Sequence, residues 1–489
     1  MRPAPAASPD ARYAAALKRI EAGAFDAART ELTALRMERP KAAEIPYQLS
    51  RIAGFTGDPD RRAQEIDRAL ALKPDTPALI DAAIAAHTLL GDHDRVLALH
   101  DARIRITPKP LHARTDKALY LQQAGRFDEA EALLRGLIEK HPKEGTLYRV
   151  LFATIPVAAD DPLMTRLTRL LADKGVSDNA RLHAHYAMAK ALEDQGRHDE
   201  IFAHLHAANR LQRAAAPYDR EAQTREQAAW RAAQDGASLV PLGWSEAPRP
   251  VFVIGMPRSG TTLAERIIGA HPHARAGGEL AHALRLVWDG FVKNGRVTPL
   301  ASVPPQALKA LGRTYRARLR HDTGADEGVA TDKSIQSHLV MGYLAKALPD
   351  ARFVAIRRDP RDVALSIYKN HFRTGTHRYS NDLADIAHAI KAHRASLDHW
   401  RDRLPERVTE VRYEDLVAEP EPTARRLVAA AGLDWDPACL DFRGTGGTVK
   451  TLSVAQVRQP IHSGRREAWR RHETDLSPFF DAWGDDPWD

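Results

Sequence analysis

The sequence predicts a two-part fold: an N-terminal all-α solenoid of stacked helix pairs, then an α/β domain on a mostly parallel sheet. Three observations carry this expectation. Glycines recur at Gly23, Gly57, Gly91 and Gly125 and prolines at Pro40, Pro74, Pro108 and Pro142, both with a period of 34 residues. An apolar run, VFVIG, breaks at Gly255 into a loop that ends Gly260-Thr261-Thr262. A second run, ARFVAIRRDP from Ala351, ends in two arginines followed by Asp359-Pro360. The expected division is a solenoid over 1–217, a helix and linker over 218–248, and the α/β domain over 249–489.

Composition sets outer limits. A chain of 489 residues is long enough for two or three domains with real cores. Its single cysteine, Cys439, excludes an intramolecular disulfide. The opening MRPAPAASPDARYAAALKRI has no apolar run of signal length, and no segment approaches the roughly 18 apolar residues of a membrane span. A cytoplasmic, reducing location is therefore expected. The net charge of +7 suits an acidic ligand. Nucleic acid is not expected, because no basic run is interleaved with aromatics.

In the repeat, each unit reads as helix, turn at glycine, helix, stop at proline. In GRFDEAEALLRGLIEKHP, for example, Phe127, Ala130, Leu134 and Ile138 recur at helical spacing. After Pro142 the register loosens, and the next comparable glycine, Gly196, comes 71 residues after Gly125. The array is expected to reach about Pro217 in six helix pairs, with a degenerate one near Ala159-Asp160-Asp161. A helix with Trp230 and the irregular GASLVPLGWSEAPRP then lead to a first strand near Pro250.

That strand opens into Gly255-x-x-x-x-Gly260-Thr261-Thr262, which is a phosphate-binding loop without its lysine. Thr261 holds the lysine position, and the cation lies inside the loop at Arg258, whose guanidinium can grip two oxygens of one anion. Gly255 and Gly260 let backbone N–H groups converge, and the helix from about Thr261 offers its N-terminus to negative charge. Such a loop suits a terminal anion handled without metal.

Residues Arg352 to Arg357 read as a buried parallel strand, Asp359-Pro360 as a break, and Asp362 onward as a helix with Val363, Ile367 and Phe372 on related faces. Two basic residues thus fall at a strand's carboxyl end, where open α/β sheets bind ligands.

The 34-residue repeat resembles the tetratricopeptide family. That resemblance implies a concave surface for a protein or peptide, with a purely architectural spacer as the alternative. GMPRSGTTL resembles the 5′-phosphosulfate loop of sulfotransferases that use 3′-phosphoadenosine 5′-phosphosulfate (PAPS), especially the protein-tyrosine sulfotransferase-like branch. Arg258, Ser259, Gly260, Thr261 and Thr262 would hold the phosphosulfate. Arg358 and Ser366 match the arginine and serine that clamp the 3′-phosphate, and Tyr413 in VRYEDLVAEP matches a tyrosine near the nucleotide.

The branch's general base is a glutamate after the first loop's helix. In HPHARAGGEL that is Glu279, expected at a helix start and facing the loop, with His271, His273 and His282 as rivals. Lys333 in ATDKSIQSHL, ahead of a helix capped by Ser334, matches the lysine at the bridging oxygen. Ser453 in TLSVAQVRQPIHSGRREAW matches a serine that steadies the sulfuryl group. Ala468 departs from the basic or small polar residue common before the tryptophan, so that role falls to Arg465 or Arg466 beside Trp469. The resemblance implies PAPS as co-substrate, no metal, and an acceptor hydroxyl on protein tyrosine, carbohydrate, lipid or a small phenol. A non-catalytic scaffold is the reading of another class. Oligomeric state stays open, a homodimer included.

Overall fold

The computed structural model describes residues 8–441 and 467–488. Among them, twelve helices form the six expected pairs. These are α1 (Pro9–Glu21) with α2 (Phe25–Glu38), α3 (Glu44–Phe55) with α4 (Pro59–Leu72), and α5 (Pro77–Leu90) with α6 (His93–Arg105). The remaining pairs are α7 (Leu111–Gln123) with α8 (Phe127–Lys140), α9 (Gly145–Phe152) with α10 (Pro162–Ala172), and α11 (Asp178–Asp194) with α12 (His198–Ala215).

The period has a backbone cause. Gly23, Gly57, Gly91, Gly125 and Gly196 each stand just past the first helix of a pair, at φ between 70° and 81°. That left-handed turn strains residues with a Cβ, so glycine marks it. The fifth pair is the degenerate one. Its helices are short, and α9 packs chiefly on α11.

Residues 218–248 are docked against the α/β domain. Helix α13 (Arg220–Ala232) buries Trp230 against Tyr343 and Trp288. The α/β domain then runs β1 (Arg249–Ile254), α14 (Thr261–Gly269), β2 (Ala274–Arg275), α15 (His282–Phe291) and the hairpin β3 (Val292–Lys293) and β4 (Arg296–Val297). It continues through α16 (Pro305–Thr323), β5 (Val329–Asp332), α17 (Met341–Ala347), β6 (Arg352–Arg357) and α18 (Pro360–Tyr368). The last elements are α19 (Leu383–Arg403), β7 (Val408–Arg412), α20 (Tyr413–Ala418), α21 (Pro420–Ala430) and α22 (Ser477–Trp483).

The main sheet is parallel throughout, in the order β2-β5-β1-β6-β7. Its central strand β1 has every residue from Pro250 to Ile254 buried, as expected of a strand covered on both faces. From β1 the chain goes first to β2 and β5 on one side and later to β6 and β7 on the other. The carboxyl ends of β1, β5 and β6 therefore adjoin a topological switch point, the usual ligand crevice of open α/β sheets.

Three local expectations need correction. Glu279 does not start a helix: α15 begins at His282, after Ala281 at φ 55°. Helix α18 starts at Pro360, because Asp359 accepts from the Arg361 N–H as its cap and proline is favoured in a first turn. It ends at Tyr368, so Phe372 lies beyond it. Ser334 precedes a 3₁₀ turn (Ile335–Val340) without capping it, since its hydroxyl donates to Asp332 Oδ1 at 2.5 Å.

The solenoid touches the α/β domain toward both of its ends. Near the first, Arg62 Nη1 donates to His321 O at 2.6 Å and the Phe55 ring rests on the His321 ring. Near the second, the buried amides of Asn209 and Gln212 donate to Tyr368 O at 3.0 Å and Phe372 O at 2.7 Å. Leu205 and Ala208 share one apolar core with Ile367, Tyr368 and Phe372.

Candidate functional site

The loop after β1 is held open by close packing. A Cβ on Gly255 would fall 2.6 Å from Ser259 Oγ and 2.8 Å from Ile356 O, and one on Gly260, at φ 103°, would fall 2.4 Å from the Tyr413 ring. Glycine is required at both positions for space, and at Gly260 also for conformation. Between them Arg258 adopts φ 69°, a left-handed conformation uncommon without glycine and a frequent mark of binding loops. No side chain caps α14, so the first amides of Thr261 and Thr262 face the crevice as a ready anion site. The Ser259 hydroxyl is buried and has no hydrogen-bond partner among the described residues. A buried hydroxyl in that state fits a missing oxyanion.

The second loop locks onto the first. Arg258 Nε donates to Ser366 Oγ at 3.1 Å, and Arg358 Nη1 donates to Arg258 O at 3.0 Å. The Arg358 guanidinium sits over the Tyr413 ring, 4.5 Å from its centroid, and 3.7 Å from Asp362. Burial raises the Asp362 carboxyl, while Arg358 and the N–H groups of Trp469 and Glu467 pull it back. Arg357, the other strand-end cation, turns away to Asp398 at 2.7 Å and Glu410 at 3.2 Å. Of the two arginines, Arg358 is the one that reaches the crevice.

On the other side of β1, Lys333 follows β5 and is 1% exposed. Its ammonium donates to Glu279 Oε1 at 2.8 Å, an ion pair whose carboxylate side chain is 55% exposed. No helix begins at Glu279, so a helix N-terminus does not act on this carboxylate. Its carboxylate is held by Lys333, a contact the sequence did not indicate.

Two of the histidine rivals, His271 and His282, have their rings engaged elsewhere. His271 Nε2 meets Asp434 O at 3.0 Å while its Nδ1 accepts from the His273 N–H. His282 Nε2 lies 2.5 Å from Asp322 Oδ2.

Sequence reasoning missed Glu265. It is buried on α14 and accepts from the Gly278 N–H at 2.9 Å and Thr331 Oγ1 at 2.7 Å, so it anchors the backbone next to Glu279. Burial raises its carboxyl, with Lys333 and these hydrogen bonds acting against the rise. The available signal was a carboxylate beside the apolar stripe Ala264, Ile267, Ile268. Buried Asp332 was also missed: it accepts from Tyr315 OH at 2.8 Å and from Ser334, whose hydroxyl accepts the Ala281 N–H at 2.7 Å. These contacts set the far end of the Glu279 loop.

Ser453, Arg465 and Arg466 lie outside the described residues. Among the described residues no group of three or more His, Cys, Asp or Glu side chains is placed to share a metal ion, and no helix is long and apolar enough to cross a membrane.

Comparison with known proteins agrees with this geometry. Residues 250–437 match the model of the sulfotransferase family. An uncharacterized protein of Aquifex aeolicus is 30% identical over 66% of this chain and 44% of its own length. Protein-tyrosine sulfotransferase 1 of Danio rerio is 24% identical over 43% of this chain and 60% of its own. Nodulation protein NoeE of Sinorhizobium fredii is 28% identical over 42% of this chain and 54% of its own. The chain thus spans about half the length of the curated relatives it matches.

Proposed function

We propose that the chain is a PAPS-dependent sulfotransferase that moves a sulfuryl group to an acceptor hydroxyl, in the first instance that of a protein tyrosine. The observation that carries this reading is the placement of the Lys333–Glu279 pair, at 2.8 Å, on the same sheet edge as the Arg258–Ser366 junction. Arg258, the Ser259 hydroxyl and the amides of Gly260 to Thr262 would hold the phosphosulfate; Arg358 and Ser366 would hold the 3′-phosphate beside Tyr413.

The chemistry asks little more of the chain. The acceptor oxygen bonds to sulfur as the bridging S–O bond to the nucleotide phosphate breaks. Glu279 takes the hydroxyl proton and Lys333 meets the charge gained by the departing phosphate. The two groups act on opposite sides of one sulfur, and the ion pair keeps their side chains adjacent. The solenoid, docked near both ends, presents the acceptor protein or peptide. A cytoplasmic setting belongs to the same reading, with which the single, buried thiol of Cys439 is compatible.

The test is transfer of radiolabel from PAPS into a lysate of the source organism and into tyrosine peptides. Label recovered as tyrosine sulfate is expected. Label only in glycan or lipid would reassign the acceptor, and failure to bind PAPS at all would overturn the reading.

A further inference from the structure

The turn that carries Glu279 is tied to two elements at once. From the β5 side, Thr331 Oγ1 accepts the Gly277 N–H at 3.2 Å, the Lys333 N–H donates to Gly278 O at 2.8 Å, and Ser334 Oγ accepts the Ala281 N–H at 2.7 Å. A Cβ on Gly277 would fall 2.3 Å from Thr331 O, so the turn lies directly on the strand. From the other side comes Glu265, whose Oε1 accepts both the Gly278 N–H at 2.9 Å and the Thr331 hydroxyl at 2.7 Å. Among the described residues, Glu265 is the hydrogen-bond partner that α14 supplies to this turn. That helix opens at Thr261, directly after the Gly255–Gly260 loop, so Glu265 stands one turn along from the proposed phosphosulfate seat.

The position is unusual for an acid. Glu265 is 4% exposed, next to Ala264, Ile267 and Ile268, which pack on Val251, Val253 and Val329 of the sheet. An apolar side chain would suit such a face at less cost, since a buried carboxyl is tolerated only when hydrogen-bonded. What the acid adds is one oxygen that serves two elements: the amide before Glu279 and the hydroxyl two residues before Lys333. A chain of bonds thus runs from the donor loop's helix to both members of the Lys333–Glu279 pair. The β5 bonds set the turn against Lys333, and the Glu265 bond sets it against the helix beside the donor. A misplacement of about 1 Å between reacting groups costs on the order of 10² in rate.

We infer that Glu265 is a positioning residue for transfer: it holds the Glu279 carboxylate at a fixed distance from the donor loop, and so acts on turnover through Glu279 rather than on donor affinity. The inference rests on Glu279 as the base of the proposed reaction. Its test is a double-mutant cycle on the full chain with three readouts. These are PAPS affinity by calorimetry, label transfer from PAPS to tyrosine peptides, and deuterium uptake by the peptide spanning 276–280.

Glu265→Ala should lower turnover at saturating substrates by at least about tenfold, leave PAPS affinity within about threefold and speed exchange at the Gly278 amide. Glu265→Gln, whose Oε1 can accept the same two donors, should recover the rate to within about threefold and restore slow exchange. In the Glu279→Gln background, adding Glu265→Ala should cost less than about twofold, since the side chain it positions is no longer a base. Thr331→Val removes the hydroxyl shared by Glu265 and Gly277 while keeping the side chain's shape, and it should give the same pattern if Glu265→Ala does not fold. Unchanged turnover, an equal fractional loss with and without the Glu279 carboxylate, no recovery in Glu265→Gln, or unchanged exchange would each overturn the inference. Failure of the unaltered protein to bind PAPS or transfer label would instead defeat the proposed function on which this role rests.

Discussion

Lys333 Nζ donates to Glu279 Oε1 at 2.8 Å, joining an almost fully buried ammonium to a carboxylate that is about half exposed. The asymmetry assigns different parts to the pair. A cation fixed below the surface can stabilise charge at one spot without reorganising, while the exposed carboxylate can be reached by an incoming hydroxyl. Glu265 fixes the backbone at Gly278, one residue earlier.

Glu279→Gln keeps the size of the side chain and removes the base. Turnover should fall by about 10² or more, the usual reach of general-base help, with PAPS affinity unchanged within about threefold. Steady-state rates beside equilibrium PAPS binding check this. Unchanged turnover would remove Glu279 from the chemistry.

Ser366→Ala deletes the acceptor of Arg258 Nε and one proposed phosphate donor. A loss of about 1 kcal/mol in PAPS binding, some fivefold in Kd, is expected from one hydrogen bond. Arg258→Ala and Arg358→Ala should each cost more, since hydrogen bonds to charged groups are stronger. Calorimetric titration of the three variants gives the order, and an unaltered Kd for Arg258→Ala would defeat its assignment.

Gly260→Ala should damage the loop in two ways. Alanine at φ 103° is strained by roughly 1–3 kcal/mol, and its methyl would lie 2.4 Å from the Tyr413 ring that supports Arg358. A lower melting temperature and at least tenfold weaker PAPS binding are expected. Gly91→Ala, at φ 71° with no atom within 4 Å of the added Cβ, carries the backbone strain alone and should leave PAPS affinity unchanged.

Asp322 makes stability depend on pH. Burial would raise its carboxyl, but hydrogen bonds from His282 and His321 outweigh that and hold it below the ordinary range. A carboxyl depressed on folding stabilises above its unfolded value, near pH 4, and that contribution fades as pH falls toward the folded value. The melting-temperature gap between the unaltered protein and Asp322→Asn should therefore be widest near neutrality and shrink below pH 4. A gap independent of pH would refute the coupling.

Much of this protein was legible because the signals are local. The 34-residue period recorded left-handed glycine turns, each set by its own φ, and the glycines of 255–260 recorded a loop without room for Cβ atoms. Arg358 and Ser366 were legible in the same way, since a strand followed at once by a helix places its terminal cation at the sheet edge. The start of α15 was misplaced because Glu279 has the composition of a first turn, whereas the loop is held by Glu265 and Ser334 from other elements.

The sequence by itself determined the solenoid, the parallel sheet and the glycine-framed loop after β1, because periodicity and turn conformation are properties of neighbours along the chain. The tertiary structure alone decided that Lys333 meets Glu279, that Arg357 turns away to Asp398 and Glu410 while Arg358 lies over the Tyr413 ring, and that Glu265 anchors the backbone at Gly278. Those outcomes depend on which distant groups share a small desolvated volume, where pairing or its absence governs the energy, and separation in sequence says nothing about that.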